Sequence, residues 1–211
     1  MQPHKFAFVQ LIACVSIMSL TAGPVLGATV VVDPDAFSDG TDISNSFAGT
    51  TLTQLGGSTA SVFALANGFA STGANVFGTA RPTFPEEWGD GFNNGMRADF
   101  TLPTNFVSID IIGNDSSGDI GRLLAFDTSD QLLDTYTTAN IGLGVVETAS
   151  IARASFDISY VIATGSADGV EAVSLDNLQY MPIPLPAAAW MALPVLGAAG
   201  LVRVLRHRRP M

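Results

Sequence analysis

The sequence predicts an all-β protein whose central domain, residues 29–181, folds as an antiparallel β-sandwich. Short runs rich in β-branched and aromatic residues recur along this domain, separated by clusters of Gly, Asn, Asp, Ser and Pro. No part of the domain shows the periodicity of an amphipathic helix. About ten strands at this spacing favour two antiparallel sheets packed face to face. The predicted sandwich lies between two apolar end segments, an N-terminal signal peptide and one C-terminal transmembrane helix.

Residues 1–28 have the layout of a secretory signal peptide. His4 and Lys5 form a short positive start, an apolar run follows from residue 6 to residue 20, and a Gly-Pro break precedes small residues. Cleavage is expected after Gly27 or Ala28. Cys14 lies in a run that superficially matches a lipoprotein box. The apolar stretch before it is short and continues past it, which favours an ordinary signal peptide.

Ten strands are predicted in the central domain from their composition and from the turn residues around them. They cover residues 29–32, 50–55, 61–66, 96–102, 106–112, 122–127, 132–138, 145–150, 158–163 and 173–180. In the fifth run, Val107, Ile109 and Ile111 alternate with Ser108 and Asp110. The three apolar side chains are therefore expected to face the core and the two polar ones water.

Two further runs show the same alternation. The apolar residues at even positions from Phe156 to Ile162, Tyr160 among them, are expected to share one buried face. The apolar residues of the last strand do so only if the register shifts at Asn177. These faces are the predicted core of the sandwich.

The composition of the central domain excludes several kinds of chemistry. It holds all nineteen acidic residues and only four of the nine basic ones, a net charge of −15, which argues against nucleic acid as a partner. His4 and His207 are the only histidines, Cys14 is the only cysteine, and no lysine follows Lys5. Ser-His-Asp and Cys-His catalysis, His- or Cys-liganded zinc and Schiff-base chemistry are thereby excluded. Carboxylate chemistry or an oxygen-ligated metal ion remains open.

Residues 97–180, with an Asp-rich turn, a strand meander and a closing strand, resemble the jelly-roll domains common in secreted carbohydrate-binding and matrix proteins.

Asp33 and Asp35, followed by Asp39 and Asp42, could share a structural calcium ion, because calcium takes several oxygen ligands. In jelly-roll domains a calcium often ties an early acidic segment to the last strand, and the resemblance implies Asp176 as the distant ligand. The alternative is a solvated turn, since Asp is common in turns.

The longest irregular stretch, residues 78–95, is the candidate ligand-binding loop. It contains Glu87, Trp88, Asp90 and Phe92. Aromatic rings can stack on the apolar face of a sugar while neighbouring acids and amides bond its hydroxyls, so a carbohydrate site is predicted here. The alternative is a packed flap over one end of the sandwich.

The C-terminal segment, residues 182–211, combines a Pro-rich box, an apolar run long enough to span a membrane once, and a basic tail. The residues of the box and of the tail are Ile183, Pro184, Leu185, Pro186 and Ala187, and Arg206, Arg208 and Arg209. This arrangement resembles the PEP-CTERM class of sorting signals, in its variant with a Val-Pro-Leu-Pro-Ala box, and Ile183 stands where that variant usually has Val. The resemblance implies cleavage near the box by a membrane protease, an exosortase, and release into a polysaccharide-rich matrix.

Together these patterns predict a secreted, acidic, single-domain protein that is held briefly in the membrane and then sorted to the cell surface or extracellular matrix. A structural or exopolysaccharide-associated role is expected, without catalysis. The alternative is a dedicated carbohydrate-binding module. A glycoside-active enzyme is the third reading, because none of the four glutamates lies in a catalytic motif.

Overall fold

The described part of the chain consists of β-strands and the loops between them. The computed structural model describes residues 27–56, 60–80, 83–89, 94–166 and 172–183. One short 3-10 turn, Pro34–Ala36, is the only helical element in these ranges. Within them, no helix is long and apolar enough to cross a membrane. The predicted transmembrane segment, almost all of the predicted signal peptide and the sorting box beyond Ile183 lie outside the described residues.

Eleven strands make up this part, and every pairing between them is antiparallel. They are β1 (Val30–Val32), β2 (Thr41–Asp42), β3 (Thr50–Gln54), β4 (Phe63–Ala66), β5 (Asn75–Gly78), β6 (Met96–Gly113), β7 (Gly121–Phe126), β8 (Leu132–Thr137), β9 (Val146–Ala152), β10 (Ile158–Gly165) and β11 (Val173–Pro182).

The long strand β6 joins two groups of strands. Its first half, residues 96–100, lies between β3 and β10, and β7 and β8 extend that group. Its second half, residues 106–112, lies between β9 and β11. On β11, β1 and β5 pair with different segments, and β4 and β2 continue beyond β5. Pro103 separates the two halves of β6, where a residue without an amide N–H interrupts the ladder.

One hydrophobic core contains side chains from both groups. Leu52, Met96 and Leu123 enter it from the first group, and Ile109 and Leu175 from the second, all with an exposed fraction of 1% or less. On β3 and β7 alternate residues are buried, as expected for a sheet with one buried face. The packing of two antiparallel groups around one core is the sandwich type that the sequence predicts.

The ten predicted strands are all present, with small differences at their ends. The two predicted runs 96–102 and 106–112 form the single strand β6. Two strands, β2 and β5, were not predicted; β5 is buried along its whole length and therefore shows no alternation. The predicted register shift in β11 is confirmed, because Asn177 has a φ of 48° and the pairing with β6 slips between Asp176 and Gln179.

Two predictions of which side chains are buried and which face water were wrong. Ser108 and Asp110 were expected to face water but are 7% and 8% exposed, because loops cover the outer face of β6 there. The prediction of one buried face on β10 is wrong for Ile162, which is only partly buried, while Tyr160 is 6% exposed; the pairing of β10 with β6 shifts between residues 158 and 160. Beyond that shift Val161 enters the core, while the Tyr160 ring lies beneath the Arg97 guanidinium.

Candidate ligand-binding site

Two loops lie over the outer face of β6 and β11 and line a cavity. Loop A is residues 67–74, between β4 and β5, and loop B is the described residues 79–80 and 83–88, after β5. The cavity has a volume of about 350 Å³ and is called the loop cavity below. Its described lining residues are Ala66, Asn67, Gly68, Phe69, Phe84, Glu86, Glu87, Asn114 and Leu143. Its volume is within the range of small-molecule sites, about 300 to 1,000 Å³.

Loop A presents the Phe69 ring to the cavity. The Asn67 side chain accepts a hydrogen bond from the Phe69 amide at 2.8 Å, and the Asn67 amide donates to the Ala74 carbonyl at 2.9 Å, so the loop closes on itself. A side chain at Gly144 would lie 2.7 Å from the Phe69 ring, which shows how closely the ring packs on that backbone. The ring is nevertheless 46% exposed.

Two aspartates fasten loop A from opposite ends. Asp176 Oδ2 accepts hydrogen bonds from the amides of Ser71 and Thr72 at 2.8 and 2.9 Å. Asp35 Oδ1 accepts them from the amides of Ala74 and Asn75 at 2.7 and 2.8 Å. Backbone N–H groups that would otherwise lack partners are thus satisfied by carboxylates, and these charge-assisted bonds are among the stronger ones in proteins.

The pKa values of these two aspartates shift in opposite directions. Burial raises the pKa of Asp176 above its ordinary value of 3.8, although the hydrogen bonds from loop A oppose this effect. Burial also acts to raise the pKa of Asp35, but the amide hydrogen bonds from Ala74 and Asn75 help to lower it overall. The Ser71 hydroxyl lies 2.9 Å from Asp176 and 2.8 Å from Asp110, so it bridges two neighbouring carboxyl groups.

Loop B presents the Phe84 ring, which is 60% exposed. Phe84 has a φ of 51°, a left-handed conformation that non-glycine residues rarely adopt and that costs about 1 to 3 kcal/mol. The strained turn is closed by the Glu87 amide, which donates to the Phe84 carbonyl at 3.1 Å, and by the Thr79 amide, which donates to the Pro85 carbonyl at 2.6 Å. Such strain is found at functional sites more often than elsewhere.

Trp88 anchors loop B and does not line the loop cavity, contrary to the prediction that it contacts a ligand. Its side chain is fully buried and belongs to the core, and its indole N–H donates to the Phe77 carbonyl at 2.8 Å. Its backbone pairs with Val173 through hydrogen bonds of 2.9 and 3.0 Å. With no exposed ring face, Trp88 cannot stack on a sugar. It holds in place the turn that carries Phe84.

Ser174 connects the walls of the cavity from below. The side chain is fully buried, with its Oγ 3.2 Å from the Glu86 carbonyl and 3.0 Å from Asn114 Oδ1. Asn67 Nδ2 donates to the same oxygen at 3.4 Å. The buried Asn114 Nδ2 makes no hydrogen bond within the described structure. One hydroxyl thus links loop A, loop B and the turn after β6.

The predicted calcium ligands are not assembled into a metal site. The oxygens of Asp35 and Asp176 accept amide hydrogen bonds from different parts of loop A, and Asp33 Oδ1 accepts one from the Asp35 amide at 2.8 Å. Among the described residues, no three His, Cys, Asp or Glu side chains are grouped to hold an ion. The early acidic segment and the last strand both bond to loop A instead. Calcium binding stays a prediction that this donor set does not support.

The predicted ligand-binding residues do not all lie at the loop cavity. Glu87 lines the cavity and Trp88 does not, while Asp90 and Phe92 lie outside the described residues. Phe69, Asn114 and most other lining residues were not predicted from the sequence. The only signal for Phe69 was a large aromatic residue within a run of small and polar turn residues.

The described chain is therefore an all-β, antiparallel protein of sandwich type with a loop-lined cavity on one outer face. No protein-family model matches the chain, and no curated protein matches it. The K2 cleaved adhesin domain of Lys-gingipain is similar at 13% identity and a TM-score of 0.48, over 73% of this chain and 99% of that one. A mutant of the family 29 carbohydrate-binding module CBM29-2 is similar at 10% and 0.42, over 72% and 91%. The xylan-binding module CBM15 is similar at 11% and 0.40, over 74% and 98%. These values are too low to transfer a function.

Proposed function

We propose that the mature protein is a secreted, non-catalytic component of the cell surface or extracellular matrix that associates with polysaccharide through the loop cavity. The observation that supports this most is the exposure of two aromatic rings, Phe69 and Phe84, on the walls of one cavity. Exposed apolar side chains grouped at one place and rimmed by polar residues are typical of ligand-binding grooves. Their faces suit the apolar face of a sugar ring.

The polar groups of the cavity complement this role. Glu86 and Glu87 bring carboxylates to the same lining. Carboxylate oxygens can accept hydrogen bonds from sugar hydroxyls. The strained turn at Phe84 supports the proposal, since a pre-formed wall loses little entropy on binding.

The proposal of a non-catalytic role has its own support. Glu147 is engaged by the Tyr136 hydroxyl at 2.9 Å and the Ala139 amide at 3.3 Å, and it does not line the loop cavity. The two glutamates that do line it, Glu86 and Glu87, are sequence neighbours on one wall. A glycosidase needs two carboxyl groups on either side of the scissile bond.

Phe84→Ala and Phe69→Ala are each expected to weaken binding to the cognate polysaccharide by up to about tenfold, because each removes a stacking contact of about 0.5 to 1.5 kcal/mol. Titration calorimetry with soluble polysaccharides measures the change. Leu132→Ala is the matched control, since Leu132 is a large apolar side chain, 54% exposed, on β8. Full affinity in both folded phenylalanine variants would contradict the proposed site.

We also propose that the C-terminal segment sorts the protein, through transient membrane insertion and cleavage by an exosortase-type protease. The support is the sequence of that segment together with the end of β11. Pro182 is its last residue, and Ile183, the first of the box, is 39% exposed while its amide donates to the Pro103 carbonyl at 3.2 Å. The box thus follows directly on the folded domain.

Mass spectrometry of the secreted protein tests the sorting proposal. The mature N-terminus is expected near Ala28, and the mature C-terminus at or close to the 183–187 box. Replacing both Pro184 and Pro186 by alanine is expected to leave uncleaved protein in the membrane fraction. Recovery of intact full-length chain, folded and soluble inside cells, would rule this proposal out.

A further inference from the structure

The charge of the loop cavity points to a class of glycan. Resting on the proposed function, we propose that the cavity selects polysaccharides with protonated amino groups, such as de-acetylated hexosamine polymers, over polysaccharides with carboxylate groups. The described lining residues and the distribution of charge over the domain both bear on which sugar is bound.

The charged side chains of the described lining are all acidic. Glu86 and Glu87 are the two, and the remaining lining residues are apolar or neutral. Both are partly buried. A carboxylate in a cavity with less water than the open surface attracts an ammonium group more strongly than a fully exposed one does.

The aromatic walls favour the same ligand. Phe69 and Phe84 can pack on the C–H face of a sugar, whether or not the sugar is charged. An ammonium group on that sugar can in addition lie against a ring face, which carries partial negative charge. A uronic acid in the same position would bring its carboxylate close to Glu86 and to the negative ring faces. Both contacts are repulsive.

The arginines with described positions do not reverse this charge. Arg97 forms an ion pair with Asp99 at 2.6 Å, and Arg153 forms one with Asp157 at 2.7 Å. Neither lines the cavity, nor does Arg122 on β7. The domain as a whole carries −15, so its field attracts cationic polymers and repels anionic ones over about 8 Å at physiological ionic strength.

The test compares three hexasaccharides of equal length by titration calorimetry on the mature domain: glucosamine, N-acetylglucosamine and galacturonic acid oligomers. The titrations are run at about pH 6, below the pKa of an ordinary amino group. The glucosamine oligomer is expected to bind at least about tenfold more tightly than its acetylated form, and the galacturonate least tightly. Raising the salt concentration should narrow the gap, because the preference is electrostatic.

Two variants separate the cavity from the general charge of the domain. Glu86→Gln is expected to remove most of the preference for the amine, because it weakens binding of the glucosamine oligomer far more than binding of the acetylated oligomer. Asp134→Asn removes one exposed carboxylate on β8 and is expected to leave the preference intact. If Asp134→Asn reduces the preference as much as Glu86→Gln, the attraction is non-specific and the inference is wrong.

The remaining outcomes distinguish the inference from the proposed function. If the acetylated oligomer binds as tightly as the amine, and Phe84→Ala weakens both, the selectivity is wrong and the binding site stands. If the galacturonate binds most tightly, the selectivity is likewise wrong. If none of the three oligomers binds, and Phe84→Ala leaves retention on every soluble polysaccharide unchanged, both the inference and the proposed function are overturned.

Discussion

Trp88→Ala is expected to lower the free energy of unfolding by about 3 to 5 kcal/mol, the usual effect of truncating a fully buried aromatic residue. The side chain has no exposed area, and the substitution would leave a cavity in the core. It would also leave the Phe77 carbonyl without the indole N–H that now bonds to it. Equilibrium unfolding in urea, followed by circular dichroism, measures the loss.

Trp88→Phe is the matched variant for this experiment. It keeps an aromatic ring in the core but removes the hydrogen bond to Phe77, so a smaller loss of about 1 to 3 kcal/mol is expected. A Trp88→Ala protein as stable as the parent, but defective in glycan binding, would contradict the buried position and restore the stacking role predicted from sequence.

The burial of Trp88 could not be predicted from the local sequence. A tryptophan in a Gly- and Pro-rich stretch reads as a surface residue, since nothing near it in sequence has strand periodicity. Its partner is Val173 on the last strand, and its indole bonds to Phe77 on β5. Neither contact leaves a local signal. A long-range pairing of one residue can therefore convert a predicted ligand contact into a core anchor.

The sheets were easier to predict because their signal is local. Alternation and turn residues located ten strands, and the slip at Asn177 followed from the break in alternation along β11. The strand β5 has no alternation, since all four of its residues are buried between neighbours. The outward polar residue Asp110 was misjudged for a related reason, because period two shows which face a residue is on but not what covers that face.

The candidate site was half predictable. Glu87 and the loop that carries Phe84 were identified, since long irregular loops often carry function. Loop A was missed, because its position depends on Asp35 and Asp176, which lie 39 residues before Ala74 and 105 residues after Ser71. These two aspartates were predicted to be calcium ligands. In the structure both accept amide hydrogen bonds from loop A and the start of β5.

Asp176→Ala is expected to lower the free energy of unfolding by about 2 to 4 kcal/mol and to displace Phe69. The substitution removes the acceptor for the amides of Ser71, Thr72 and Asn177, and leaving such donors unpaired is costly where they are buried. Urea unfolding measures the stability. Polysaccharide affinity, measured on the folded fraction, is expected to fall as far as it does in Phe69→Ala.

The pH dependence of stability distinguishes Asp176 from the other anchor of loop A. Because burial raises the pKa of Asp176 above 3.8, the pH-dependent part of its contribution to stability is fully present below that value and is lost as pH rises through the folded-state pKa. The pKa of Asp35 is lowered, with amide hydrogen bonds outweighing burial, so its contribution is present above 3.8 and lost as pH falls.

Unfolding is therefore measured from about pH 3 to pH 8 for the parent, Asp176→Asn and Asp35→Asn. The free energy of unfolding of the parent minus that of Asp176→Asn should decrease as pH rises. The same difference taken with Asp35→Asn should increase as pH rises. Slopes of the same sign would show that the two carboxylates do not anchor loop A in the way the structure describes.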